Sequence, residues 1–459
     1  MVSNAKINRQ WVLRQRPKGL VQPGDLELVE TPVPEVKESE ALVRTVYLSL
    51  DPTNRTWMND SEGYLPPVGL GEVMRGLTLG VVEHSRSDRF KVGDVVMPAA
   101  GGWADYAVVP EAGLRPVHRA PGLPLTANMS VLGMTGLTAY FGVTDVLKAK
   151  AGETMVISAA AGAVGSIAGQ IAKQRGCRVI GVAGGPEKCA WLTDELGFDA
   201  AIDYKNEDVG DALDRLAPDG IDLNFENVGG DIMIAVFNRL KVHGRMAVCG
   251  LVSSYNATKA PPSPNFARII THRLHVQGFL VLDYAPRARE MVAEMGSWLA
   301  EGRVKWKVHV DDGLEGAVDS LNRLFTGDHD GKLLDLETGQ VVPLGACAVD
   351  PGALDLFVER FAPGWDAAYG APDAMIYALW SRLAAEKSGA WAQTKILAVD
   401  GLRYLRNPPP GELLRGRMTV MGKDPVGDGK GIVIAQHDLL DEAGRLVFSC
   451  LTRALFSRR

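Results

Sequence analysis

The apolar positions of this chain change period more than once, and each change marks a different kind of element. As far as about Pro121, runs such as "EALVRTVYLSLDP", "LTLGVVEH" and "GDVVMPAAGGWADYAVVP" alternate apolar and polar residues between Gly and Pro. That is the period of strands with one face in a core, and it predicts a small, twisted all-β unit. Helical spacing follows in "NMSVLGMTGLTAYFGVTDVL". From Gly152 strand and helix alternate: "TMVISAA", "CRVIGVAG", "AAIDYK", "IDLNFENVGG", "GRMAVCG" and "LHVQGFL" read as strands, with "EKCAWLTDELG" and "DVGDALDRLA" among the helices. A βαβα series predicts a parallel sheet with helices on both faces. After Leu280 the helix "APRAREMVAEMGSWLAEG" leads back to β-like text up to about Val342, and "TGQVVPLGACAVDPG" reads as a linker.

The last hundred or so residues have another grammar. The helix "PDAMIYALWSRLAAEK" carries a Met375, Leu379, Leu383 stripe. Long strands follow, "TKILAVDGLRYL", "ELLRGRMTVMG", "GIVIAQHDLLD" and "RLVFSCLTRALF", joined by hairpin-type turns. They predict a separate α+β domain whose helical stripe is buried by the fold or by a partner.

The segment "SAAAGAVGSIAGQIAKQRGCRVIGVAGG", Ser158 to Gly185, carries the first functional signal. Val164, Ile167, Ala168, Ile171 and Ala172 repeat at helical spacing, so the text reads strand, tight turn, helix, strand. Gly162 and Gly165 allow close backbone approach, and the helix start offers free N–H groups to a pyrophosphate. Such a turn alone is equally a tight βα connection; its place inside a βαβ unit favours a dinucleotide. The next strand ends "VAGGPEK". Gly184 and Gly185 stand where NAD-binding chains carry an acid for the ribose 2′-hydroxyl, and Lys188 follows. A missing acid with a nearby cation predicts NADPH.

Composition adds exclusions. The 459 residues are 46% apolar and 23% charged, enough for two or three globular domains. A net charge of −6 with interspersed signs argues against nucleic acid as a partner. The polar, basic N-terminus does not read as a secretory signal, and no apolar run reaches membrane-helix length. Five scattered cysteines without a Cys-x-x-Cys pair suggest a reducing cytoplasm and thiols in cores. No Cys precedes Cys177, so a zinc-dehydrogenase ligand set has no first member in the β unit, and no metal is expected.

The segments "VYLSLDPTNRTWM", "LGMTGLTAYFGV", "AAAGAVGSIAGQIAK", "FENVGG" and "CGLVSSYN", in this order, resemble the zinc-free medium-chain reductases of the prostaglandin reductase, 2-alkenal reductase and curcumin reductase group. The resemblance covers about residues 1–345. It implies a GroES-like β domain over 1–125 with a return segment at about 315–345, a Rossmann doubly wound parallel sheet over 126–314, and a homodimer. The order of elements over 348–459 resembles a MaoC-like hot-dog α+β domain.

Residue by residue, the resemblance places Met134 and Thr135 beside the nicotinamide. It places Gly162, Ala163 and Val164 at the pyrophosphate, and Gly184, Lys188 and Tyr204 at the 2′-phosphate. Asn227, Cys249 and Gly250 fall at strand ends bordering the cofactor, and Phe279 and Leu280 in a wall near the nicotinamide. Tyr255 matches the tyrosine near the ribose and the reacting carbonyl. Asp51 matches a loop residue that is more often structural. Two departures stand out: "GDHDGK" puts His329 where relatives carry an Asn, and Thr53 and Asn54 replace an aromatic and a methionine, giving a more polar pocket mouth.

The implied reaction is hydride delivery from NADPH to the β-carbon of a conjugated carbonyl, with Tyr255 as donor to the carbonyl oxygen or only as a ribose ligand. Alternatives are a quinone reductase, a non-catalytic NADP-binding protein, or a bifunctional acyl-thioester enzyme. The last needs an Asp–His pair ahead of the C-terminal helix, where "VDPGALDLFVERFAPGWDAAYGAP" contains no His.

Overall fold

The computed structural model describes residues 7–61, 63–99, 101–117, 123–311, 313–327, 331–335, 341–388, 393–425, 430–442 and 445–457. The chain divides into two compact units, Met1–Leu336 and Glu337–Arg459.

Among the described residues, the first unit holds three sheets. Strands Ile7–Leu13 and Leu26–Pro32 form an antiparallel pair. A seven-stranded sheet runs Val308–Asp311, Lys332–Asp335, Glu40–Ser49, Thr78–Ser85, Val95–Pro98, Leu114–Pro116, with Tyr106–Pro110 also paired to Glu40–Ser49. Val308–Asp311 and Lys332–Asp335 return to this sheet from beyond the parallel sheet, so the return begins earlier than residue 315. The short helix Pro52–Thr56 after the Glu40–Ser49 strand is fixed by Asp51, whose backbone N–H donates to Asn54 Oδ1 at 2.7 Å, with Pro52 opening the helix. Arg55 is buried on three acceptors, Pro17 O, Gly19 O and Asn59 Oδ1, and Lys332 Nζ donates to Leu50 O and Asp51 Oδ1. Asp51 and Arg55 therefore shape the loop.

The parallel sheet contains six strands. In chain order they are Thr154–Ile157, Arg178–Ala183, Ala200–Asp203, Ile221–Glu226, Leu240–Val248 and His275–Gly278. In space they run third, second, first, fourth, fifth, sixth. This is the dinucleotide-binding order, with its switch point between the first and fourth strands. Both faces are covered because strand residues alternate between two cores. Met155, Ile157 and Val179 pack with Ile167 and Ile171 of helix Ala163–Gln174 and with Met291, Met295 and Trp298 of helix Ala288–Ala300. Val156, Ile180 and Val182 pack with Leu213, Val236 and Phe237 on the other side. Helix Ala163–Gln174 comes close because Gly169 faces Phe198; a Cβ there would lie 1.9 Å from Phe198 Cζ.

In the second unit, helices Pro351–Phe361 and Asp373–Ser388 lie between the first and second strands of a five-stranded antiparallel sheet. Its order is Val341–Ala348, Leu413–Pro425, Lys430–Leu440, Leu446–Ser457, Gln393–Tyr404. Two readings change. "VVPLGACA" is an edge strand paired to Leu413–Pro425, with Leu344, at a register shift, and Cys347 entering the core. Helix Pro351–Phe361 escaped the pattern; Asp350 Oδ1 accepts from Ala353 N at 2.7 Å and Pro351 starts the helix, a local N-terminal signal. Met375 and Leu383 are buried as expected, Leu379 is partly so, and Ile376 and Trp380 complete the stripe.

Candidate active site

The C-terminal ends of the first, fourth and fifth parallel strands meet at the switch point. After Ile157 the chain turns through Ser158–Ala161, with Ala159 in the left-handed region (φ 49°), and enters helix Ala163–Gln174 with Gly162 as N-cap. Ala163 and Val164 form its first turn. A Cβ on Gly165 would lie 2.4 Å from Ala159 O and 2.9 Å from Ala160 Cα; one on Gly162 would lie 3.1 Å from Ala159 O. The turn therefore exists only because small residues occupy it, and the helix start is left bare toward the crevice. That is the cradle a pyrophosphate requires. Gly162 also bridges Gly331 in parallel, tying the return segment to this turn.

The end of the second strand forms a second cluster. A Cβ on Gly184 would sit 2.9 Å from Tyr204 Cε1 and 3.0 Å from Lys205 Cε, so Gly184 and Tyr204 are in contact across the strand ends. Lys188 Nζ donates to Gly327 O at 2.7 Å. The sequence pattern did not single out Asp203, which ends the third strand. Its carboxylate accepts from Gly185 N at 2.8 Å, Lys205 N at 3.1 Å and Asn206 Nδ2 at 2.6 Å. Those bonds, Gly185 first, hold it below the usual carboxylate range. Its charge is engaged by backbone on this side of the crevice.

At the centre, Asn227 N donates to Ser158 Oγ at 2.8 Å and Asn227 Nδ2 to Ser158 O at 2.7 Å, which locks the ends of the first and fourth strands together. Cys249 N and Gly250 N donate to Glu226 O at 2.9 and 3.2 Å, adding the fifth. Burial and Glu226 push the Cys249 thiol up to about 12, so it stays protonated. Tyr255 closes the short helix Val252–Tyr255, its hydroxyl accepting from Leu251 N at 3.3 Å. A Cβ on Gly250 would lie 3.2 Å from that hydroxyl, so Gly250 is the floor on which the phenol rests. Burial raises the Tyr255 phenol above its ordinary value.

The helix Pro52–Thr56 packs against Val252–Tyr255 and brings in residues the sequence reading missed. Tyr64 Oη lies 2.6 Å from Thr53 Oγ1, and Tyr64, Thr56 and Trp57 line a cavity of about 100 Å³.

Thr135 is buried in the first turn of helix Met134–Phe141, its hydroxyl donating to Ser130 O at 2.8 Å; Met134 is half-buried beside it. Phe279 packs edge-on to Phe225 with ring centroids 6.3 Å apart, and Leu280 is exposed. His329 lies outside the described residues. Two further residues were missed, Ser158 and Glu226. Their signal was a serine directly after an apolar strand and an acid closing another. Among the described residues, no group of three or more His, Cys, Asp and Glu side chains is placed to hold a metal ion.

A β domain joined to a six-stranded parallel sheet of this order, with a small-residue cradle at the switch point, defines a two-domain dinucleotide-binding protein. Family models agree: residues 9–117 match the N-terminal domain of oxidoreductase and residues 163–301 match zinc-binding dehydrogenase. The chain belongs to the medium-chain dehydrogenase/reductase family. It is 42% identical over 333 residues to the NADPH-dependent curcumin reductase of Escherichia coli, spanning 71% of this chain and 96% of the relative. It is 39% identical to the NADP(+)-dependent 2-alkenal reductase of Nicotiana tabacum, again over 71% of this chain and 96% of the relative. The crystal structure of CurA from Vibrio vulnificus in complex with NADPH superposes with a TM-score of 0.68 at 41% identity, covering 72% of this chain and 98% of that one.

Proposed function

We propose that this protein reduces the C=C bond of α,β-unsaturated carbonyl compounds, enones and enals, with NADPH. The relatives named above support the substrate class and the cofactor. Gly162, Ala163 and Val164 bind the pyrophosphate, and Gly184, Lys188 and Tyr204 hold the 2′-phosphate, Lys188 exchanging Gly327 O for it. Asn227, Cys249, Gly250, Met134, Thr135 and Phe279 enclose the nicotinamide end, with Leu280 at its rim and His329 in place of the usual asparagine. Bound NADPH supplies the hydride for the substrate β-carbon.

The observation that carries the reading is the Tyr255 phenol. Leu251 N–H donates to its oxygen, which leaves its own O–H as a donor for a ligand. Burial keeps it protonated at neutral pH. As charge builds on the substrate carbonyl oxygen, Tyr255 donates to it, and a donor fixed before the reaction gains most at that moment. Water or a tyrosine relay then protonates the α-carbon. NADPH-consumption assays over enals, enones, quinones and enoyl thioesters, with mass analysis of the product, test this. Saturation of the C=C bond of enones is expected; turnover of quinones alone refutes it.

The second unit is read as a hot-dog domain without a catalytic role. Its support is the strand order first, third, fourth, fifth, second around helix Asp373–Ser388. His437 is buried against Trp380 (ring centroids 5.3 Å apart) with Nε2 3.0 Å from Thr452 Oγ1, and burial lowers it to about 4. It is neutral core, which speaks against a hydratase. We place the protein in the cytoplasm as a homodimer. Free thiols support the first. Strand His275–Gly278, exposed at the sheet edge beside Phe266 and Ile270, supports the second.

A further inference from the structure

Glu226 ends the fourth parallel strand with its side chain fully buried, in the middle of the crevice floor. Four groups donate to it. Ser158 Oγ (2.9 Å), Val228 N (2.8 Å) and Gly229 N (2.8 Å) converge on Oε1, and Asn224 Nδ2 (3.1 Å) reaches Oε2. The direction of the Ser158 bond is fixed: its oxygen already accepts from Asn227 N, so its proton goes to Glu226. Among the described residues no Lys, Arg or His pairs with this carboxyl. Burial pushes Glu226 above the usual carboxylate range, and the four donors offset only part of that rise. Three donors on Oε1 satisfy the ionised form there; at Oε2 the Asn224 amide donates as placed, and its other atom, Oδ1, is buried without a partner. The Glu226 carbonyl in turn receives Cys249 N and Gly250 N, and Gly250 carries the Tyr255 phenol. The charge thus lies directly under the residues read above as the nicotinamide enclosure.

We propose that Glu226 is a fixed, uncompensated negative charge that biases this crevice toward the oxidised, positively charged nicotinamide ring, so that losing a hydride is favoured by the site itself. The inference rests on the cofactor reading of the preceding subsection. It predicts an asymmetry between the two redox forms that a purely structural acid would not produce. At an effective dielectric constant of about 20, one charge acting on another across roughly 12 Å is worth about 1.4 kcal/mol, roughly tenfold in a binding ratio.

Calorimetry on the full chain gives the Kd of NADP+ and of NADPH separately. In Glu226→Gln, which keeps shape and removes charge, the Kd(NADP+)/Kd(NADPH) ratio is expected to rise about tenfold. Ser158→Ala loosens the same network without changing charge; it is expected to weaken both forms alike and leave the ratio unchanged. An unchanged ratio in Glu226→Gln overturns the proposal. Should that variant not fold, wild-type chain labelled with 13C-glutamate is read by infrared spectroscopy near neutral pH. A buried carboxylate is expected, and a protonated buried carboxyl overturns the proposal. Wild-type chain that binds neither form removes the cofactor reading and this inference with it; binding of both with an unresponsive ratio removes this inference alone.

Discussion

The sharpest perturbation of the cofactor cradle is one methyl group. In Gly165→Ala the new Cβ falls 2.4 Å from Ala159 O, whereas carbon–oxygen contacts sit at roughly 3.3–3.6 Å. The helix start and the turn must therefore part by about 1 Å. Overpacking of that kind costs about 1–3 kcal/mol, and replacing a helical glycine by alanine returns up to about 1 kcal/mol. Net destabilisation is thus about 0–3 kcal/mol, and the protein folds. The cradle is displaced all the same. Losing one charge-assisted N–H contact to a phosphate costs about 1.5–3 kcal/mol, so NADPH affinity should fall about 10- to 100-fold. Gly162→Ala is the matched control: its Cβ would lie 3.1 Å from the same oxygen, a contact that a few tenths of an ångström relieves, and it should lose far less. Fluorescence titration with NADPH, alongside circular dichroism to verify folding, reads both variants. If Gly165→Ala binds NADPH within about twofold of wild type, a difference of less than about 0.5 kcal/mol, the cradle is not where the pyrophosphate sits.

Tyr255→Phe removes the carbonyl donor and should lower kcat about 100-fold or more while NADPH affinity is unchanged, as stopped-flow and titration can check. Lys188→Ala should weaken NADPH by about 10- to 100-fold and leave NADH nearly untouched, which separates the 2′-phosphate contact from general damage. Trp380→Ala should cost the second unit about 3–5 kcal/mol by denaturant titration, while the NADPH Kd stays the same. His437 is held at about 4, against 6.5 when free, because burial disfavours its charge. The unfolded chain therefore binds the extra proton first. Stability of the second unit is full above pH 6.5 and falls by about 3 kcal/mol as pH drops toward 4. His437→Gln should flatten that limb.

The parallel sheet was legible because its strands are short apolar runs separated by helices of clear period, and its order follows from the way βαβ units wind. The tight turn was legible for the same reason: small residues gather where the chain passes from Ile157 into helix Ala163–Gln174. What the pattern hid was long-range. Nothing local announces that Glu226 and Ser158, 68 positions apart, share a proton donor and acceptor, or that Tyr64 swings onto Thr53. The edge strand Val341–Ala348 was read as a linker because its core residues Leu344 and Cys347 are three positions apart beside a register shift, which breaks the strand period, and its Gly and Pro look like loop text. Helix Pro351–Phe361 keeps one fully buried residue, Leu354, too little apolar surface to show a stripe.

The two units close separate cores, Trp380 and Phe448 anchoring one and Ile167, Phe225 and Met295 anchoring another. A scanning calorimeter should therefore register two endotherms for this chain. No single midpoint then describes it, and an additive that moves only the first endotherm names the half it binds.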